Sequence, residues 1–479
     1  LDPRDWCFLA AAGIVALFGG LDDRFDLDYR AKLFGQILAA LIVILGADIQ
    51  IHELTLEDRV QLPEWISIPL TLFFLVGITN AINLADGLDG LAGGTTFLSL
   101  CAVAMLAFSG GQFSSAALAL TFAGAVLGFL RSNTFPASVF MGDAGSQLLG
   151  FAVGVLSLRA TQSGASMVSA ATPVLLLALP ILDTLSVMVQ RLSEGRSPFS
   201  ADRNHIHHKL LSFGFGHHEA VVVIYAVQAD LFLMAYWMRY ESDVAIMGVV
   251  TAFFLGSLAL LQVATRRHWR FRAGGSARGD SRMTRLIARI AEPEYLPRWS
   301  YIGVAAALAV YSVLVVAEAA NLSGDVKLLV LALLAVALAG LAIRRFRPFT
   351  LVERCVCYVT VAVLVYLDAL MEHEALVPAV VVWGAILAAA IGTLLRLRLS
   401  GDRRFVLTPL DLIVLFVALV IPSLAGSLGL PQGGSLGIAK LVVLFYAVEV
   451  LVSRMEMPAM WLRAGTAAVL AGLLMLPLL

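Results

Sequence analysis

The chain has 479 residues, of which 60% are hydrophobic and only 14% charged, and its mean hydropathy is +0.89. A soluble domain carries roughly 25% charged residues, so a soluble enzyme, a secreted disulfide scaffold and a disordered chain are all excluded. The 33 basic and 34 acidic side chains leave a net charge of −1, with no overall basic field for nucleic acid.

Apolar stretches close to the ~20 residues of a bilayer crossing recur almost from end to end. In chain order they fall near 6–20, 31–47, 66–82, 91–108, 114–131, 147–160, 169–189, 219–238 and 244–263. They continue at 299–318, 326–343, 355–371, 376–395, 406–424, 436–452 and 460–479. The expected fold is all-α, a polytopic integral membrane protein of about sixteen transmembrane helices. Cys7, Cys101, Cys355 and Cys357 lie in apolar surroundings and read as lipid-buried thiols rather than disulfides or a metal site. Between Arg266 and Arg298 nine Arg face three acidic residues, which marks this stretch as cytoplasmic. The acidic loop 48–65 falls on the opposite side.

Four polar clusters interrupt the first half, each separated from the next by two crossings, so all four emerge on the cytoplasmic face. The first is Gly19-Gly20-Leu21-Asp22-Asp23, followed by Lys32. Adjacent carboxylates at a membrane boundary are costly unless a cation compensates them. Such a pair can hold Mg²⁺ or act as a base, or it can be ordinary helix-end charge. Lys32 reads either as a positive-inside marker or as a point charge for phosphate. The second cluster spaces Asn80, Asn83, Asp86 and Asp89 three residues apart, with Gly87 and Gly90 between. One helical face would collect those four side-chain oxygens, a donor set suited to Mg²⁺ and a diphosphate; the plainer reading is a polar loop capping the next helix. The third, Phe140-Met141-Gly142-Asp143-Ala144-Gly145-Ser146, opens a helix, where an anion and its metal are readily held and where Asp143 or Ser146 could equally be an N-cap. The fourth runs through Arg203, His205, His207, His208 and Lys209, a compact donor array for phosphate oxygens or sugar hydroxyls. A zinc site is the rival there; it fails on spacing, because His205 and His207 alternate faces unless the segment is extended, and no Cys or carboxylate completes a tetrahedral set. His217 and His218 read as ordinary loop residues. The second half shows no comparable cluster at its helix ends. Residues 1–240 therefore form the expected functional domain, 241–298 a spanning helix with a basic cytoplasmic loop, and 299–479 a further helical region with the composition of a lipid-facing array.

Taken together and in this order, Gly-Leu-Asp22-Asp23, Asn80-x-x-Asn83-x-x-Asp86-Gly-x-Asp89-Gly-Leu-Ala, Phe-Met-Gly-Asp143-x-Gly-Ser and Arg203-Asn-His205-Ile-His207-His208 resemble the motif series of the polyprenyl-phosphate sugar-1-phosphate transferases. The His-Ile-His-His form is similar to the undecaprenyl-phosphate N-acetylglucosaminyl branch. The phospho-N-acetylmuramoyl-pentapeptide transferases carry three consecutive His instead. The resemblance covers about residues 1–240. Family members begin with further spanning helices and a Gly-Gly motif, so the chain looks N-terminally truncated.

The resemblance implies a multi-pass inner-membrane enzyme with its site facing the cytoplasm. It would transfer N-acetylhexosamine-1-phosphate from a UDP-sugar to polyprenyl phosphate with release of UMP. The implied cofactor is Mg²⁺, or Mn²⁺ in its place, held by Asp143 and Asn83. Asp22 is the implied base and Asp23 its support, while Lys32 meets the lipid phosphate. Asn80, Asp86, Asp89, Arg203, His205, His207 and His208 serve the nucleotide and diphosphate. Homodimerisation stays open. A phosphatidyltransferase of the CDP-alcohol type is disfavoured, because Leu91-Ala92-Gly93-Gly94 lacks the Ala-Arg and downstream Asp pair it needs. A secondary transporter would place polar groups near helix midpoints and in both halves.

Overall fold

The computed structural model describes residues 2–56, 58–162, 166–196, 205–267, 269–271, 295–318, 322–343, 351–370, 379–399, 409, 432–453 and 459–475. It is helical almost throughout, with a single two-stranded hairpin among the described residues. Nine helices among those residues are long and apolar enough to cross a membrane. The chain divides into two compact units, Leu1–Gly275 with Leu407–Phe416, and Ser276–Val406 with Val417–Leu479.

The first unit opens with α1 (Pro3–Phe25), started by Asp2 and Asp5 in a reciprocal capping box with Pro3 at its first turn. Then come α2 (Tyr29–Leu41), which ends in a π-turn at Ile42–Gly46, and the antiparallel hairpin of β1 (Glu53–Thr55) and β2 (Arg59–Gln61). Next are α3 (Glu64–Ala85), α4 (Leu91–Ser109), α5 (Phe113–Asn133) and α6 (Gly142–Gln162). Apolar on every side, α4 is almost wholly buried and forms the centre of the unit.

The apolar run 169–189 is not one continuous helix. It folds as α7 (Thr172–Leu176) and α8 (Ala178–Ser193), interrupted at Leu177. Pro180 lacks the amide that would bond back to Leu176, and its ring crowds that carbonyl, so a continuous helix is broken there. Short α9 (Ile206–Ser212) follows, then α10 (His217–Trp237) and α11 (Asp243–Arg266). His217 and His218 are thus the first residues of a helix, not of a loop, and both rings pack on Phe135.

Close packing of α1 against α6 sets the frame of the site. An added Cβ on Gly19 would lie 2.6 Å from Ala144 Cα, so the two backbones meet without an intervening side chain. At the other end of the pair Arg159 Nη1 donates to the buried carboxylate of Asp5 at 2.7 Å, and Ser114 Oγ adds a bond at 2.8 Å. The helices are antiparallel, and the two fastenings lie about 22 Å apart along them at ~1.5 Å per residue. Gly150 makes a similar approach on the other side of α6, to the Thr79 backbone of α3.

The second unit contains α12 (Tyr295–Glu318), α13 (Gly324–Ile343), α14 (Leu351–Leu370), α15 (Ala379–Leu399), α16 (Gln432–Ser453) and α17 (Ala459–Met475). Its helices pack around a core that includes Tyr311, Val330, Ala389 and Leu444, while α13 leaves most of its apolar surface exposed. Buried ion pairs join its helices: Arg463 Nε donates to Glu353 Oε1 at 2.8 Å, and Lys440 meets Asp368. Composition hid this because a helix is equally apolar whether it faces lipid or a neighbouring helix.

Candidate active site

The four clusters converge at one end of the first unit. Lys32 on α2 forms ion pairs with Asp22 on α1 and, at 3.1 Å, with Asp143 at the start of α6. Asn83, on the last turn of α3, donates from Nδ2 to Asp143 Oδ1 at 3.1 Å and to Ser146 Oγ at 2.8 Å. Asp22 is buried, and its Oδ1 accepts from Leu27 N at 2.8 Å across the end of α1. That end is reached through Asp26 in the left-handed region at φ 50°.

Asp23 is exposed and does different work. Its two oxygens accept from Asp143 N at 2.7 Å and Ala144 N at 3.1 Å. A carboxylate thereby caps the start of α6 from outside that helix, favourable to its positive end. Gly142, at φ +65°, sits against this carboxylate, and a Cβ there would come within 2.6 Å of Asp23 Oδ2.

Beneath the carboxylates lies an amide network. Gln36 Nε2 donates to Gln147 Oε1 at 3.0 Å, and Asn80 Nδ2 donates to Gln36 Oε1 at 2.7 Å. Asn80 is therefore engaged one turn below Asn83. The expected single helical face is only half formed, because α3 ends at Ala85. Gly87 and Gly90, the latter at φ +81°, turn the chain there. Asp86 lies just beyond the helix. Its carboxyl is pushed up to about 6 by burial first, and then by the charges of Asp143 and Asp89. Asp89 faces away from the cluster, accepting from Ala137 N at 2.9 Å and so fixing the loop that leads into α6.

The histidine cluster closes the site over Gly87. A Cβ on Gly87 would lie 2.3 Å from His207 Nε2, so only glycine lets that ring come so close. His207 is buried, and desolvation foremost, then the neighbouring His208, holds its ring down to about 4. It is a neutral ring at physiological pH, a hydrogen-bonding group rather than a cation. The rings of His205 and His207 lie parallel with centroids 5.6 Å apart, and His208 packs on His207. Arg203 falls outside the described residues. Beyond α11, Phe271 returns to this region: its amide donates to Phe213 O at 2.8 Å and its ring stacks on Phe215.

Sequence reasoning missed several participants. Gln36 and Gln147 stand inside apolar helices, where a buried amide with no sequence neighbour gives no motif. Tyr225 on α10 donates to Gly90 O and occupies the space that a Cβ on Gly94 would need. Asp183 lies within the apolar run 169–189, which hydropathy alone reads as a plain crossing. A lone carboxylate in an apolar run was the signal that could have found it.

The arrangement can attract a divalent cation. Asp22 and Asp143 share one ammonium, Lys32, and Asp86 lies near enough to feel the charge of Asp143, so acidic groups outnumber the basic one. Asn83 has both amide hydrogens directed at Asp143 and Ser146, which leaves Oδ1 as the atom it can offer. This oxygen-only set suits Mg²⁺ or Mn²⁺ and not zinc. Among the described residues no three His, Cys, Asp or Glu side chains stand close enough to enclose a metal alone. A cation held here would complete its shell with substrate oxygens and water, as Mg²⁺ does.

Comparison with known proteins falls on the same segment. A family model described as glycosyl transferase family 4 matches residues 6–161. A Bacillus subtilis protein named "Probable undecaprenyl-phosphate N-acetylglucosaminyl 1-phosphate transferase" is 40% identical over 229 residues, 47% of this chain and 63% of that protein. The undecaprenyl-phosphate alpha-N-acetylglucosaminyl 1-phosphate transferase of Yersinia pestis is 33% identical over 276 residues, 56% of this chain and 75% of its own length. The decaprenyl-phosphate N-acetylglucosaminephosphotransferase of Mycolicibacterium smegmatis is 39% identical over 239 residues, 45% of this chain and 59% of its own.

Proposed function

Because this chain belongs to glycosyl transferase family 4, we propose that it transfers N-acetylglucosamine-1-phosphate from a UDP-sugar to polyprenyl phosphate, releasing UMP. The observation that carries the reading is the meeting of Asp22, Lys32, Asn83 and Asp143, from four different helices, at one end of the bundle. The positive-inside pattern of the following loop supports a cytoplasmic site in a plasma membrane, where a nucleotide sugar and a lipid phosphate can both reach it.

A lipid phosphate oxygen would attack the β-phosphorus of the UDP-sugar, forming the new diphosphate bond as the bond to UMP breaks. Two anions approach each other, so charge compensation dominates the barrier. Asp143 and Asn83 would hold Mg²⁺, which, when bound, neutralises the diphosphate and the departing UMP. Asp23 keeps Asp143 in place by capping its helix. Lys32 offers an ammonium that can leave its carboxylate partners for the acceptor phosphate. Asp22, buried beside it, keeps that phosphate oriented and unprotonated; the second phosphate pKa near 6 asks for little proton removal. His207, held neutral, hydrogen-bonds the sugar or nucleotide side.

The test is UMP release by the protein in detergent. UMP that forms only with polyprenyl phosphate, Mg²⁺ and UDP-N-acetylglucosamine together supports the reading. No UMP from any UDP-sugar, with protein shown to be folded, overturns it.

A further inference from the structure

Asp183 lies on α8, outside every cluster that the motifs define, yet it is buried against the histidine segment. Its two oxygens are both committed to that segment. Oδ1 accepts from Ile206 N, the first amide of α9, at 2.6 Å. Oδ2 stands 2.8 Å from His205 Nδ1, and His205 is itself buried. One carboxylate thus caps a helix from a neighbouring helix and grips the ring of the residue that starts it.

We propose that Asp183 is a positioning residue for the transfer reaction: its carboxylate accepts from Nδ1–H of His205 and so orients the ring with Nε2 toward the diphosphate, where Nε2–H can donate to a phosphoryl oxygen. This rests on the reading of the reaction given above. A carboxylate accepts only, so Nδ1 must carry hydrogen to bond it, and the tautomer follows. The ring plane is fixed as well, by the parallel stack on His207. The carboxylate's charge also stabilises the ring whenever Nε2 bears a proton and donates it in a hydrogen bond to a phosphoryl oxygen. The break at Leu177 serves this geometry, because it lets α8 start afresh and carry Asp183 beneath α9.

Asp183→Asn separates positioning from simple packing. Ile206 N–H demands an acceptor, which commits the amide oxygen of Asn to the cap. The amide NH₂ then faces Nδ1, which must become the acceptor, and the proton moves to Nε2. The cap survives, while the ring loses both its Nδ1–H anchor and the carboxylate charge that supports it when Nε2–H donates to a phosphoryl oxygen. With UDP-N-acetylglucosamine, polyprenyl phosphate and Mg²⁺, kcat for UMP release should fall about 10- to 100-fold in D183N. KM for the lipid phosphate should change by less than about threefold. H205Q and the double variant D183N/H205Q should be equally impaired, since Asp183 acts through that ring. Wild-type kcat in D183N, or additive losses in the double variant, overturns the proposal.

A second measurement needs neither turnover nor a folded D183N. The chain has eight His, so ¹⁵N-histidine labelling resolves few signals, and the His205 signal is the one absent in H205Q. A His205 ring protonated at Nδ1 in the wild-type protein upholds the positioning role, and a neutral ring protonated only at Nε2 overturns it. A wild-type chain that releases no UMP from any UDP-sugar overturns the reaction, and the tautomer alone then upholds or overturns the Asp183–His205 pairing.

Discussion

Gly19→Ala is the most incisive perturbation of the frame that holds the site. The added Cβ would stand 2.6, 2.7 and 2.8 Å from Ala144 Cα, Asp143 O and Ala144 N, whereas ordinary contact begins at 3.4 Å. All three neighbours are backbone and cannot rotate away, so α1 and α6 must part by about 0.8 Å at this level. The bonds from Asp143 N and Ala144 N to Asp23, now 2.7 and 3.1 Å, would stretch to about 3.5 and 3.9 Å, at or beyond hydrogen-bonding range. Overpacking costs about 1–3 kcal/mol, and the two exposed bonds contribute about 1 kcal/mol each. The larger effect is on rate. Asp22 and Asp23 would shift away from Asp143, and a misplacement of ~1 Å costs about 10²-fold. Gly20→Ala is the control, because its Cβ would lie 4.0 Å from Ala144 Cβ, an ordinary contact. UMP release and thermal unfolding of both variants, measured in one detergent, decide the matter. Equal kcat and equal Tm for G19A and G20A would refute the backbone contact as the determinant of site geometry.

Asp143→Asn should lower Mg²⁺-dependent turnover by about 10³-fold while the thermal transition stays near that of the wild type; a variant with full activity removes Asp143 from the metal set. Asp86 predicts a pH effect of definite sign. Its carboxyl is raised from an ordinary value of 3.8 to about 6, so it is neutral below that pH and ionised above. Apparent Mg²⁺ affinity should therefore rise with pH through about 6 and level off above 7, as Mg²⁺ titrations of UMP release between pH 5 and 8 would read out. The same titrations of Asp86→Asn should lose this slope, and a slope that persists assigns the titration to another group. At the far end, Asp243 accepts from Ala171 N at 2.8 Å and Thr55 N at 2.5 Å. Asp243→Ala strands both amides and should cost about 2–5 kcal/mol in unfolding without changing kcat at low temperature. A Tm unchanged from wild type would refute that count.

Much of this was legible because membrane cost makes polar residues conspicuous. Asp22, Lys32, Asn83 and Asp143 stood out against apolar surroundings, and the alternation of crossings placed them at one end before any contact was known. Legibility failed where the signal depended on backbone path. The three-residue spacing from Asn80 to Asp89 read as one face, but α3 ends at Ala85 and Asp89 turns to Ala137. Pro180 divided a run of hydropathy that looked continuous. Buried amides such as Gln36 and Gln147 acquire meaning only from each other, 111 residues apart. The second unit's interior was unreadable for a different reason, since lipid and protein neighbours ask for the same side chains.

The antiparallel pair of α1 and α6 is fastened by Asp5–Arg159 at one end and Asp23–Asp143 at the other. A bilayer thicker or thinner than this pair imposes hydrophobic mismatch, which a helix relieves by tilting, by sliding past its neighbour or by deforming the lipid. Sliding would break one fastening or the other, so it is closed to these two helices, and they must tilt together as one strut. The distance from Asp22 to Asp143 is then decoupled from the acyl-chain length of the surrounding lipids. The neighbouring α2 carries no such double fastening among the described residues, and its π-turn at Ile42–Gly46 departs from regular helix.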